Sequence, residues 1–141
     1  MTAVGWDVIV ARALDSLRDA PADTVLCGMS MGAGVIGSIW PERPAASAAV
    51  LLHAPAPVPP AIHPATIVQV HVADGDPFAT PDQLAALQSG AARAGADVTL
   101  YTYPHAGHFF TDTESPDHHE RASELAWSRV LAALAQLRRR R

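Results

Sequence analysis

The chain has 141 residues and a formal net charge of −4, with 49% of its residues apolar and 17% charged. These proportions exclude a disordered or low-complexity polymer and predict one packed domain over residues 1–141. All ten basic residues are arginine, four of them gathered at Arg138 to Arg141, which excludes the dispersed basic face that nucleic-acid binding needs.

In chain order, Trp6, Ile9, Val10, Ala13, Leu14 and Leu17 recur at helical spacing and predict an amphipathic helix ending near Pro21. Thr24 to Cys27 reads as a short buried strand, and the Gly-rich segment Gly28 to Gly37 turns helical as far as Trp40, where Pro41 and Pro44 stop it. Ala48 to Leu52 predicts a second strand, and the Pro-rich stretch Ala54 to Pro64 a loop. Thr66 to Val72 is a third strand, Pro81 to Ala94 a helix, and Val98 to Tyr103 a fourth strand. A closing helix from His119 to Leu137 places Trp127, Val130, Leu131, Leu134 and Leu137 on one face. The terminal arginines complement the negative end of its dipole. Apolar strands alternating with helices call for a parallel sheet covered on both faces, an α/β architecture. In such sheets ligands bind at the carboxyl ends of the strands.

Cys27 is the lone cysteine, so no intramolecular disulfide forms, which fits a reducing compartment. Met1 to Asp7 carries neither a basic n-region nor a long apolar stretch, so a cytoplasmic protein without a membrane partner is expected.

The chemical signals cluster after the strands. Gly28-Met29-Ser30-Met31-Gly32 is a G-x-S-x-G segment between a strand and a helix. Such a turn strains the serine and exposes its hydroxyl, with glycines expected on both sides because side chains there would clash. The amide of Met31, at the helix start, is expected to point at a developing oxyanion. The plainer explanation is that small residues let a strand-turn-helix pack closely. Ser30 needs a base, and the base an orienting acid. Asp74 and Asp76 follow the third strand, and His105 and His108 follow the fourth, which is the Ser, acid, His order of α/β-hydrolases.

Plainer roles compete here too. An Asp beside Gly and Pro is often a turn former, and His105 can be a solvated loop residue. His105 with His108, or His118 with His119, are candidate metal ligands, but no H-E-x-x-H helix and no Cys set accompanies them. Gly32-Ala33-Gly34-Val35-Ile36-Gly37 satisfies the dinucleotide fingerprint G-x-G-x-x-G. Its first glycine lies five residues after Cys27, and His53 stands where an acidic residue should end the next strand. Gly34 and Gly37 are therefore read as close helix packing.

With these residues the sequence resembles the dienelactone hydrolase family, especially its small bacterial members. The likeness runs through Gly28 to Gly32, Val50 to Ala54, Val68 to Val72 with Asp76-Pro77-Phe78, Ala106 to Phe110, and the closing helix with Trp127. The resemblance implies a partial α/β-hydrolase fold, a parallel sheet of about four strands flanked by helices. It implies Ser30 as nucleophile, Asp76 rather than Asp74 as acid, and His108 rather than His105 as base. The best-known members use a cysteine nucleophile, so Ser30 points to a serine esterase; Cys27, inside the strand, does not substitute.

Family members also carry several strands before the first helix seen here, including the loop that supplies a second oxyanion donor. Loss of one such donor costs ~10²–10³ in rate. A sheet without those strands leaves Thr24 to Cys27 as a bare edge. The chain is thus expected to be a fragment from a misassigned start, or a shortened protein that completes its sheet as a homodimer. The expected activity is hydrolysis of a small-molecule ester or lactone, without metal or organic cofactor. Trp40, His53, Phe78, Phe109 and Phe110 are candidates for the pocket wall, with core packing as the competing role. The reading from another class is a non-catalytic binding or interaction module.

Overall fold

The computed structural model describes residues 4–140. Helix α1 spans Trp6–Ser16, strand β1 Val25–Met29, α2 Met31–Ile39, β2 Ala48–Leu52, β3 Ile67–Ala73, α3 Pro81–Ala94, β4 Asp97–Tyr103 and α4 Glu120–Arg140. The strands form one sheet in the order β1-β2-β3-β4, and every pair is parallel. The expected α/β fold with four parallel strands is therefore the observed one.

Burial along each strand follows from its place in the sheet. β2 and β3 are central and buried throughout, because successive side chains enter opposite layers. Ala49, Leu51, Val68, Val70 and Val72 pack with Ile36, Trp40, Leu87 and Ala91 on the α2 and α3 side. Ala48, Val50, Leu52 and Ile67 pack instead on Val130, Ala133, Leu134 and Leu137 of α4. Burying a Val or Leu side chain in this way contributes about 1.5–3 kcal/mol, which is why continuous apolar runs settle at the centre.

The outer strands differ from the sequence expectation. β1 runs on through Gly28 and Met29 and is only half buried, because β2 is its sole strand neighbour among the described residues. β4 forms the opposite edge and alternates between exposed and partly buried positions. The closing helix turns differently as well. Ala122, Ala126, Val130 and Ala133 are buried, whereas Leu131 is 64% exposed and Trp127 is also exposed. Small alanines let the helix lie close to the sheet and rotate Leu131 outward.

Local signals set the segments that carry the site. α3 starts with a capping box in which the Thr80 hydroxyl accepts from the Gln83 amide and the Gln83 side chain accepts from Thr80 N–H. Gly95, in the left-handed conformation, ends it. The end of α1 is held by Arg43, whose guanidinium donates to the carbonyls of Leu17, Ala20 and Pro21. With both helices fixed, Ser30, His53, Asp76 and His108 all follow the carboxyl ends of strands, at one rim of the sheet.

Candidate active site

Ser30 lies between the last residue of β1 and the first of α2, at φ 51° and ψ −113°. A non-glycine residue at positive φ is uncommon and costs of order 1–3 kcal/mol unless its surroundings fix it. The Ser30 amide donates to the Leu52 carbonyl at the end of β2, and the Ser30 carbonyl accepts from Ala33 at the start of α2. The turn is tight on one side only. A Cβ at position 28 would stand 2.4 Å from the Gly32 carbonyl oxygen, while one at position 32 would meet nothing within 4 Å. Gly28 is therefore required by packing, and the expected clash at Gly32 is absent because that position faces open space.

The Ser30 hydroxyl lies 2.8 Å from His108 Nε2, and His108 Nδ1 lies 2.7 Å from Asp76 Oδ2. The other carboxylate oxygen of Asp76 accepts from the Phe78 amide at 2.8 Å. That second bond is an Asx turn, so the turn-forming role and the imidazole-holding role fall to one carboxylate, one oxygen each. Asp76 is buried, and its partner His108 is nearly so. His108 is steadied by its loop. A Cβ at Gly107 would stand 2.7 Å from Asp117, whose carboxylate accepts from the Phe109 amide.

The alternatives stay outside this chain of bonds. Asp74 is exposed and is fixed through its amide, which donates to the Tyr103 carbonyl. His105 is exposed at φ 62°. Among the described residues no three His, Cys, Asp or Glu side chains come together as a metal site. Gly34 and Gly37 lie inside α2, where Gly34 faces Trp6 of α1 and Gly37 faces Ala56 and Pro57. The supposed dinucleotide loop is thus a helix whose glycines admit its neighbours. No helix among the described residues is long and apolar enough to cross a membrane.

The five residues considered for the pocket wall separate. Trp40 and Phe110 are fully buried in the core, whereas Phe78 and Phe109 are exposed beside His108, with ring centroids 4.7 and 4.4 Å from its imidazole. His53 is buried under the same loop at φ 69°, where its Nε2 shares a 2.8 Å hydrogen bond with the Thr111 hydroxyl. Burial and the nearby His108 lower the His53 pKa to about 4. His71, deep in β3, bonds to the Tyr103 hydroxyl and the Gln69 amide oxygen. Burial and then Arg129 lower its pKa to about 4 as well. The contributions of the Phe78 amide, the Leu52 carbonyl and Thr111 carry no sequence signal of their own, although Asp76-Pro77-Phe78 has the form of an Asx turn.

A parallel sheet flanked by helices, with polar groups converging at its carboxyl rim, defines an α/β protein of the type that binds ligands at that rim. The chain belongs to the dienelactone hydrolase family, whose model matches residues 7–138. No curated protein matches it. Among solved structures, it is similar to a dienelactone hydrolase-like promiscuous phosphotriesterase from metagenomic libraries, with TM-score 0.75 and 19% identity over 94% of this chain and 61% of that one. It is also similar to the esterase domain of a Rhodothermus marinus protein, with TM-score 0.53 and 17% identity over 92% and 66% of the two chains. A Bacillus cereus carboxylesterase matches with TM-score 0.50 and 19% identity over 83% and 53%. The chain therefore spans about three fifths of the length of the phosphotriesterase it resembles.

Proposed function

We propose that this chain carries the nucleophile, base and acid of a serine-type hydrolase acting on small carboxylic esters or lactones. The observation that carries the reading is the continuous hydrogen-bonded path from Ser30 through His108 to Asp76, drawn from three different strand ends. Family membership and hydrolase and esterase neighbours support the reaction class.

In this reading Ser30 sits at a nucleophile elbow and the three residues act as a catalytic triad. His108 Nε2 takes the hydroxyl proton as Ser30 Oγ bonds to the carbonyl carbon, and the resulting oxyanion accepts from the Met31 amide. That amide is at the first position of α2, where no carbonyl of the helix can accept it. Collapse breaks the bond to the leaving oxygen, which receives the proton from His108. Water then attacks the acyl-enzyme with His108 again as base, releasing the acid and restoring Ser30. Asp76 holds the His108 tautomer that leaves Nε2 free to accept. None of these steps uses a metal or an organic cofactor.

The test is hydrolysis of p-nitrophenyl acetate by the purified chain, followed as p-nitrophenolate release. Turnover that Ser30→Ala abolishes is expected; turnover unchanged in Ser30→Ala would remove Ser30 from the reaction.

A further inference from the structure

Resting on the proposed role of Ser30 and His108, we infer that the acyl group received at this site is apolar and uncharged, with Phe78, Phe109 and Met31 as its specificity-determining contacts. Large apolar side chains left in water beside reacting groups mark a ligand surface, because covering an aromatic ring removes 150–250 Å² from solvent. Met31, Phe78 and Phe109 are 62%, 60% and 42% exposed. Met31 follows Ser30 directly, and both phenylalanine rings lie within 5 Å of the His108 imidazole centroid. Ser30 Oγ lies 2.8 Å from His108 Nε2, so an acyl chain bonded to it starts beside the imidazole that both phenylalanine rings flank.

Charge points the same way. Beside the imidazoles of His53 and His108, the charged side chains acting on this rim are carboxylates. Asp76 holds His108, Asp117 binds the Phe109 amide, and Asp112 acts electrostatically on His53. Among the described residues no arginine bonds to or stacks on Ser30, Asp76, Phe78, His108 or Phe109. Arg18 pairs with Asp15, Arg43 holds the end of α1, and Arg129 lies over Tyr101. An acyl group ending in a carboxylate would lose water beside these carboxylates without gaining an arginine partner among the described residues.

The experiment compares two p-nitrophenyl esters of equal chain length, the valerate ending in a methyl group and the hemiglutarate ending in a carboxylate. The chain is expected to favour the valerate by at least about tenfold in kcat/KM, the scale on which apolar pockets discriminate. Phe109→Ala should reduce that ratio by lowering the valerate value. Phe78→Arg, at an exposed position that tolerates a long side chain, should reduce it by raising the hemiglutarate value. Leu125→Ala, on the exposed side of α4, should leave the ratio unchanged. Fluorophosphonate labelling of the same preparations separates the two claims. A labelled wild type that hydrolyses both esters equally, or prefers the hemiglutarate, overturns the apolar acyl site and leaves the Ser30 reading standing. A folded wild type that neither labels nor hydrolyses either ester overturns both.

Discussion

The Ser30 amide donates to the Leu52 carbonyl at 2.8 Å, which ties the strained turn after β1 to the end of the neighbouring strand. The backbone of Ser30 is therefore set by the sheet rather than by the turn alone, and the glycines around it carry unequal weight. Gly28→Ala would drive a Cβ to 2.4 Å from the Gly32 carbonyl, so it should destabilise the fold by several kcal/mol, in the upper range for a single substitution. Gly32→Ala meets nothing within 4 Å inside a helix, and its stability should stay within about 1 kcal/mol of wild type. Urea unfolding of both variants checks the contrast; equal losses would contradict it.

Asp76→Asn keeps the oxygen that accepts from Phe78 but presents an N–H donor to His108 Nδ1. The imidazole must then turn its lone pair toward Asn, and Nε2 can no longer accept from Ser30. A fall in kcat on the order of 10⁴-fold is expected, with the unfolding midpoint nearly unchanged. A loss below about tenfold would mean that Asp76 serves the turn alone.

His53 and His71 are buried, and their pKa values lie near 4 instead of 6.5. Between about pH 6.5 and 4 the unfolded chain binds protons that the folded chain refuses. Their contribution to stability is thus complete above pH 6.5 and is lost as pH falls toward 4. Each histidine supplies up to about 3 kcal/mol of that loss. Urea midpoints should drop clearly from pH 7.5 to pH 4.5, and His71→Gln should remove part of the drop. A midpoint constant across this range would show that these imidazoles ionise freely in the folded chain.

Arg43 donates to three carbonyls where α1 ends and the chain turns toward β1. Arg43→Met keeps most of the side-chain volume and removes those bonds, so a loss of about 2 kcal/mol is expected in chemical denaturation. A change within experimental error would mean that solvent satisfies the same carbonyls.

Much of this was legible in the sequence because the pattern and the chemistry agree. The run Ala48 to Leu52 reads as a buried strand since it is apolar at every position, and Thr66 to Val72 reads as a strand through Ile67, Val68, Val70 and Val72 although Gln69 and His71 interrupt it. The position of Ser30 between β1 and α2 follows from Gly28 to Gly32 together with the apolar run before it and the helical pattern after it. Spacing does not choose Asp76 over Asp74 or His108 over His105, because both members of each pair follow the same strand. The family resemblance favours Asp76 and His108, and the geometry that joins them, a carboxylate that reaches His108 while its other oxygen closes a turn, is visible only in space. The outward rotation of Leu131 was equally hidden, since it depends on how closely Ala122, Ala126 and Ala133 let α4 approach. The open side of Gly32 depends on what lies next to the turn, which no local pattern records.

The central claim is that Ser30 is a nucleophile assembled with His108, and fluorophosphonate labelling followed by peptide mass analysis tests it most directly. The account predicts one covalent adduct, located on Ser30, absent in Ser30→Ala and lost or strongly slowed in His108→Ala. A folded chain that stays unlabelled, or an adduct that persists in Ser30→Ala, would contradict it.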